Sequence, residues 1–357
     1  MPKRYKKIVY LIGAGATHAE VQRVDPAILL LTKDVTDGII KRIEKSNIKY
    51  LEEVRNELSS KCDIEHLITL YEKIGTRKYQ NISSKLKELF RTEILARLKM
   101  LGPSFEPVLY QSLIDLHEIH GIKEKLSCFF SLNYDDMLDV AIQRIKNGIF
   151  YSVSVKINKK YCNYVQATKD MFPFLKLHGS FNWTKDYPLI VSSQYSIKKN
   201  DVLWIPPGAE KKTDNYPFNH LWSTAKEQFD FDILRVIGCS LNRNDWQLIS
   251  LIFSLQKINN SVIEIIDYND VGEGIRKQYP YLKIFTLSEI SECRDYLSDL
   301  YGPFHKKTLP SWAIDNINRS NTKINILEWW LRAKGNELKK KNIPIATTSR
   351  VFEKFIN

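Results

Sequence analysis

The chain has 357 residues, enough at about 150 per domain for two domains or one decorated domain. Its 43% apolar, 11% aromatic and 26% charged content excludes disorder as the overall description. Lys and Arg number 53 against 41 Asp and Glu, a formal +12, which raises the question of attraction to phosphate. The excess sits at the ends. Residues 1–7 hold four Lys or Arg and no acid, and 305–357 hold eleven against four acids. The body between them is close to neutral, so nucleic acid or an acidic partner subunit is expected only at the basic ends. Five cysteines, with neighbours at least 34 residues apart and no CxxC pair, argue against a disulfide scaffold or a Cys-based zinc site and for a reduced, cytoplasmic compartment. No stretch approaches the ~18 uninterrupted apolar residues of a membrane span.

In chain order, the first element is Ile8–Ile12, an apolar, β-branched run ending at Gly13 and the pattern of a buried parallel strand. Lys3, Arg4, Lys6 and Lys7 before it and Ala14-Gly-Ala16 after it imitate a secretory leader. The run falls short of the ~7–15 residues that a leader core needs. A helical region of about 25–122 follows, read from apolar residues at helical spacing such as Ile28, Leu31, Val35, Ile39 and Ile43, then Leu86, Phe90, Ile94 and Leu98. It is either a packed helical layer or an insertion forming a lid or an oligomer face.

From Leu126 the texture alternates. Strands are expected at Leu126–Leu132, Phe174–Leu177, Ile233–Ile237, Val262–Ile266 and Tyr281–Phe285, with irregular β structure over Leu189–Ile205. Helices are expected at Met137–Ile145, Leu221–Phe229, Trp246–Leu255 and about Ser288–Leu300. Short apolar strands alternating with helices predict βα crossovers and an α/β fold with a parallel, Rossmann-type sheet. Gly302-Pro303 marks the end of this body at about residue 304. Beyond it, over 305–357, Ile324, Leu327, Leu331 and Leu338 recur at helical spacing beside Trp329 and Trp330. That basic extension either packs back on the body or forms an oligomer or partner face.

Five stretches end strands in polar residues, where open α/β sheets place ligand-contacting groups. Gly13-Ala-Gly-Ala-Thr17 offers glycines and a helix N-terminus for a pyrophosphate, although His18 stands where a third glycine is usual; a plain strand–turn–helix junction is the alternative. Ser131-Leu-Asn-Tyr-Asp-Asp136 brings Asn133 and Asp135 to a strand end, or caps the next helix through an Asp. Leu177-His-Gly-Ser180 presents His178, a general base near neutral pH or a structural hydrogen-bonding residue. Gly238-Cys-Ser-Leu-Asn-Arg-Asn-Asp245 forms a Gly/Ser loop before a helix capped by Asn244 or Asp245. Ile266-Asp-Tyr-Asn269 closes a strand on Asp267, a carboxylate suited to ribose hydroxyls. The other histidines show no ligand-like spacing, and no metal is expected.

The order GAGAT, SLNYDD, LHGS, GCSLNRND, IIDYND resembles the sirtuin-like NAD-binding family over roughly residues 8–300, with LNYD followed by LHGS as the most specific part. The resemblance implies a modified Rossmann fold holding NAD across the strand ends, with NAD as substrate. Gly13, Ala14, Gly15 and Thr17 would face the pyrophosphate. Asn133 and Asp135 would lie by the nicotinamide ribose, and His178 would be the catalytic histidine. Gly238 and Ser240 would touch phosphate or ribose, while Asp267 or Asn269 would meet the adenosine half. Deacetylase sirtuins carry a four-Cys zinc module and a Pro-Asp-Phe-Arg stretch after the glycine loop. This chain has neither, and His18-Ala-Glu-Val-Gln-Arg23 stands in place of the latter. It is more similar to the bacterial sirtuin-like NAD hydrolases of anti-phage defence, also through Trp204-Ile-Pro-Pro207 and Leu221-Trp222. That branch implies cleavage of the nicotinamide–ribose bond with Asn133 and His178 as catalytic pair, and a homo-oligomer. A partner subunit such as a HerA-type ATPase or an Argonaute-like protein is equally compatible. A module that binds NAD or ADP-ribose without cleaving it is the alternative; protein deacetylation or ADP-ribosyl transfer is a third.

Overall fold

Strand β1 (Lys6–Ile12) carries five consecutive buried residues, Ile8–Ile12, because both faces of the strand are covered. A run of that kind has no solvent side and fits only the interior of a parallel sheet. The computed structural model describes residues 5–46, 51–59, 62–103, 105–118, 124–146, 148–157, 171–186, 188–198, 200–208, 213–242, 245–267 and 269–286. After β1 the described residues form six α-helices before the next strand: α1 (Ala14–Val24), α2 (Thr32–Ser46), α3 (Glu52–Ser59), α4 (Ile64–Ile74), α5 (Arg77–Lys99) and α6 (Val108–Asp115). The body then runs β2 (Glu124–Ser131), α7 (Met137–Ile145), β3 (Ile149–Phe150), β4 (Val155–Ile157), β5 (Phe172–Lys176), β6 (Gly179–Thr184), β7 (Leu189–Val191) and β8 (Val202–Trp204). It continues with α8 (Phe218–Glu227), β9 (Ile233–Ile237), α9 (Trp246–Asn259), β10 (Val262–Ile266), α10 (Asn269–Gln278) and β11 (Ile284–Thr286).

Seven strands form one parallel sheet in the order β11-β10-β9-β1-β2-β5-β3. The fold is therefore α/β with a Rossmann-type parallel sheet, as the alternation of strands and helices predicts. Strand β1 pairs with β2 on one side and β9 on the other, in register Ile12↔Ser131 and Ile12↔Ile237. The chain thus changes direction across β1, and a crevice opens beyond the carboxyl ends of β1, β2 and β9, the usual ligand position in such sheets.

Helices α2 to α5 have a core of their own, built from residues such as Val35, Ile39, Leu67, Ile68, Leu86 and Phe90, whereas α1 and α6 pack into the core of the sheet through residues such as Ala16, Val21, Leu109 and Leu113. Tyr134 and Trp204 from the body pack against the α2–α5 core. Helix α4 shows why these segments start and stop where they do. Asp63 accepts the His66 N–H at 2.7 Å, and Gly75 ends the helix with φ 70°, the left-handed conformation glycine adopts without penalty.

Where irregular β structure is expected over 189–205, the chain builds a second, four-stranded sheet in the order β4-β7-β6-β8. Its strands are three to six residues long, mostly too short for an alternation pattern to register. The last strand among the described residues is Ile284–Thr286, later than the expected Tyr281–Phe285, because the pairing with β10 begins only at Ile284. Lys3 and Arg4, the expected helix at about Ser288–Leu300 and the whole extension 305–357 lie outside the described residues. Among the described residues no helix is long and apolar enough to cross a membrane.

The sheet encloses a polar centre. Arg235 of β9 is fully buried and donates to Glu124 of β2 at 2.9 and 3.1 Å, to Glu264 of β10 at 2.7 Å and to the Tyr10 hydroxyl of β1 at 2.8 Å. The two carboxylates hold the guanidinium well above its ordinary pKa despite its burial. One side chain therefore ties together four adjacent strands, those whose ends form the crevice and its neighbour β10.

Candidate active site

Two glycine turns interlock at the crevice. Gly13 precedes α1 directly, and its N–H donates to Ile237 O at 2.9 Å, while the Gly15 N–H donates to Gly238 O at 2.8 Å and that of Ala16 to Gly13 O at 2.9 Å. A Cβ on Gly13 would lie 2.6 Å from Gly238 O, and one on Gly15 2.9 Å from Gly238 Cα. The glycines are thus required for one loop to pass against the other, and three N–H groups of the turn are already spent. What the turn still offers an anion is the positive end of α1. Gly238 is the tightest point, with φ +64° and a Cβ that would stand 2.1 Å from Ala16 N. Gly238→Ala is expected to lower unfolding free energy by at least about 1–2 kcal/mol, the left-handed penalty alone, measured as a shift of the urea midpoint; wild-type stability would refute the close-approach account.

Strand β2 delivers Asn133 and Asp135, both less than a tenth exposed. The Asn133 amide nitrogen donates to Gly13 O at 3.0 Å and to Thr17 Oγ1 at 2.9 Å. Thr17 donates to Asp135 Oδ2 at 2.9 Å, and Asp135 Oδ1 accepts the Met137 N–H at 3.0 Å. Asp136 therefore stands at the N-cap of α7 without a side-chain capping bond, its carboxylate accepting from Gln194 at 3.0 Å instead, and Asp135 closes a turn onto the first helical N–H. Burial pushes the Asp135 carboxyl above its usual range, against the pull of the nearby Lys176. Asp136, also desolvated and close to Asp139, is pushed up to about 7.

Lys176, fully buried on β5, fixes this loop from below. Its ammonium donates to Asp135 O at 2.6 Å and to Asp139 Oδ2 at 2.8 Å, and Tyr151 donates to the other Asp139 oxygen at 2.5 Å. From the far side, the Phe181 N–H and the Ser180 hydroxyl both donate to Tyr134 O at 2.8 and 2.9 Å. His178 follows β5 with its ring between Tyr134, beyond β2, and Trp222 of α8. Its imidazole lies 6.1 Å from the Trp222 ring at 24° and 6.3 Å from Tyr134 at 28°. Trp222 is itself held by its Nε1–H donating to Leu177 O at 2.9 Å.

A cavity of about 850 Å³ gathers Gly13, Ala14, Thr17, Asn133, Asp135, His178, Gly238 and Ser240 on one surface. Asp245, capping α9 by accepting the Leu248 N–H at 3.2 Å, also lines it. Gly15 is not on that surface, being consumed in the packing of the two turns. Asp267, 5% exposed at the end of β10, does not line it either, and the Asn269 side chain lies outside the described residues. The cavity instead continues under the helical layer, along Thr36, Asp37 and Ile40 of α2, His66 and Thr69 of α4, and Phe90 and Ile94 of α5. No motif in the sequence marks these residues, His66 among them, as part of a site. The same holds for Tyr110 of α6, whose hydroxyl sits 2.9 Å from Thr17 Oγ1. Nothing in local pattern distinguishes Tyr110 from the other 17 tyrosines among the 18. Lys176 did carry a signal, as a lone cation in an apolar strand.

Among the described lining residues of this cavity the charge is one-sided. Asp37, Asp63, Glu65, Asp135 and Asp245 line it against Lys33 as the one Lys or Arg among the described lining residues. Such a surface favours groups that carry or develop positive charge. Among the described residues no cluster of His, Cys, Asp and Glu could hold a metal ion.

No family model and no curated protein matches the chain. Among solved structures it is similar to two variants of a Sir2 homologue, each a complex with ADP-ribose. One has 14% identity and a TM-score of 0.35, the other 15% and 0.36, and each match covers 74% of this chain and 80% of the other. At that identity and TM-score, the likeness assigns neither a ligand nor a residue role here.

Proposed function

We propose that the protein is an NAD hydrolase that cleaves the nicotinamide–ribose bond to give nicotinamide and ADP-ribose. The observation that supports it most is the meeting of Asn133, Asp135, His178 and the two glycine turns on one acidic cavity. Cleavage passes through a ribose that gains positive charge while nicotinamide leaves as a neutral molecule. No acid is needed on the leaving group. What is needed is negative potential around the ribose, a held water and a base for the proton it sheds.

The residues divide these tasks. Both hydrogens of the Asn133 amide nitrogen are committed to Gly13 O and Thr17 Oγ1, so its oxygen is the polar atom left for a ribose hydroxyl or the attacking water. His178 accepts the water proton as the new C–O bond forms. Asp135 orients a ribose hydroxyl, and the carboxylates of the cavity wall stabilise the developing cation. The diphosphate lies toward the N-terminus of α1 and the Gly238–Ser240 turn. In the sequence resemblance described above, this activity would deplete NAD in an infected bacterial cell, as an effector of anti-phage defence.

Incubation of the purified protein with NAD, with and without an acetylated peptide, tests the reading. Equimolar nicotinamide and ADP-ribose without any protein acceptor is the expected result. NAD loss that requires the peptide would assign the site to group transfer instead.

A further inference from the structure

The polar cluster beneath the cavity has a member from outside the sheet. Tyr110 of α6 is fully buried, and its hydroxyl stands 2.9 Å from Thr17 Oγ1 and 3.4 Å from Asn133 Nδ2. Thr17 has one hydroxyl proton and two lone pairs. With its proton on Asp135 Oδ2 at 2.9 Å, it accepts from Asn133 Nδ2 at 2.9 Å and from the Tyr110 O–H. The donor directions then run Tyr110 to Thr17 to Asp135, with Asn133 joining at Thr17. Gly13 O can only accept, so the Asn133 carboxamide is fixed with nitrogen inward and oxygen outward. Burial and the nearby Asp135 hold the Tyr110 phenol well above its ordinary pKa, so it stays a donor throughout the neutral range.

We infer that Tyr110, supplied by α6, is a positioning residue of the active site: it saturates Thr17 and thereby locks the Asn133 carboxamide with its oxygen toward the cavity. Its effect on rate rests on the hydrolase reading above; its effect on Asn133 does not. The same contact makes α6 a part of the site, since α6 cannot separate from α1 without breaking the Tyr110–Thr17 bond.

Tyr110→Phe keeps the buried ring and removes only the hydroxyl. With NAD as substrate, the variant is expected to lose about tenfold or more in kcat while KM stays within about threefold, because a misaligned group costs turnover more than binding. In protein carrying nitrogen-15 asparagine, the Asn133 side-chain protons, assigned by their disappearance in Asn133→Asp, are expected to exchange with solvent roughly tenfold faster in Tyr110→Phe than in wild type. Unchanged kcat with unchanged exchange would overturn the proposal, as would a rate loss matched by the fraction unfolded. If Tyr110→Phe does not fold, Thr17→Val and Thr17→Ser carry the test. Valine must repeat the slower turnover and faster exchange and serine must restore both; wild-type values in Thr17→Val would overturn it. A wild-type protein that binds NAD and releases no nicotinamide would refute the hydrolase reading, and the exchange measurement alone then decides the role of Tyr110.

Discussion

Asn133→Ala and His178→Ala are each expected to reduce nicotinamide release by at least about 10²-fold, the range for removal of a positioned base or a group that stabilises developing charge. The two losses arise differently. His178 packs its ring against Trp222 and Tyr134, and its replacement removes the proton acceptor. Asn133 also bonds Gly13 O and Thr17 Oγ1, so its replacement loosens the two turns as well and lowers thermal stability modestly. Circular dichroism and the unfolding midpoint separate lost chemistry from lost fold. Full activity in either folded variant would remove that residue from the site.

Arg235→Met is expected to produce the largest loss of stability of any single substitution in the sheet, about 3–5 kcal/mol. The guanidinium is fully buried between Glu124 and Glu264. Methionine fills much of the same volume but leaves two carboxylates without their cation across strands β2 and β10. Burial makes an uncompensated carboxylate costly, whereas the intact cluster contributes much less than its Coulomb attraction suggests. The triple variant Arg235→Met, Glu124→Gln, Glu264→Gln is therefore expected to recover part of the loss. Equilibrium unfolding in urea measures both; a single variant within about 0.5 kcal/mol of wild type would show that these charges are solvated. The loss should reach the site too, because Tyr10, bonded to Arg235 at 2.8 Å, belongs to β1, the strand that ends in Gly13.

Much of this architecture is legible in the chain because burial on both faces leaves a plain mark. Ile233–Ile237, Val262–Ile266 and Met137–Ile145 have the bounds that their apolar runs predict. The strand-end motifs were visible for the same reason: each stands where an apolar run meets Gly, Asn, Asp or His. Short strands such as Leu189–Val191 contain too few residues to show a period, and their pairing is decided by tertiary contacts. The cavity was only half legible. Its floor follows from topology, since carboxyl ends of parallel strands converge, but its wall comes from helices whose sequence records only which side is apolar. Tyr110 looks like any buried helical tyrosine until α6 is seen against α1. Asp267 illustrates the converse. It closes a strand in the expected way, yet the cavity turns from β10 toward the helical layer and leaves it off the lining.

The glycine turn has a similar lesson. Gly13 and Gly15 suggest a backbone opened for a pyrophosphate, and the structure gives them a further duty in packing against Gly238. A loop built this way is rigid before any ligand arrives, which suits a site that must hold a ribose and a water in one geometry.

The central claim is that this cavity hydrolyses the bond between nicotinamide and ribose. Single-turnover incubation of NAD with excess protein in water enriched in oxygen-18, followed by mass analysis of the products, tests it most directly. The account predicts free nicotinamide and ADP-ribose carrying one heavy oxygen at the anomeric position, with both products lost in His178→Ala. NAD recovered intact from a protein that binds it, or ADP-ribose found attached to protein without heavy oxygen, would contradict it.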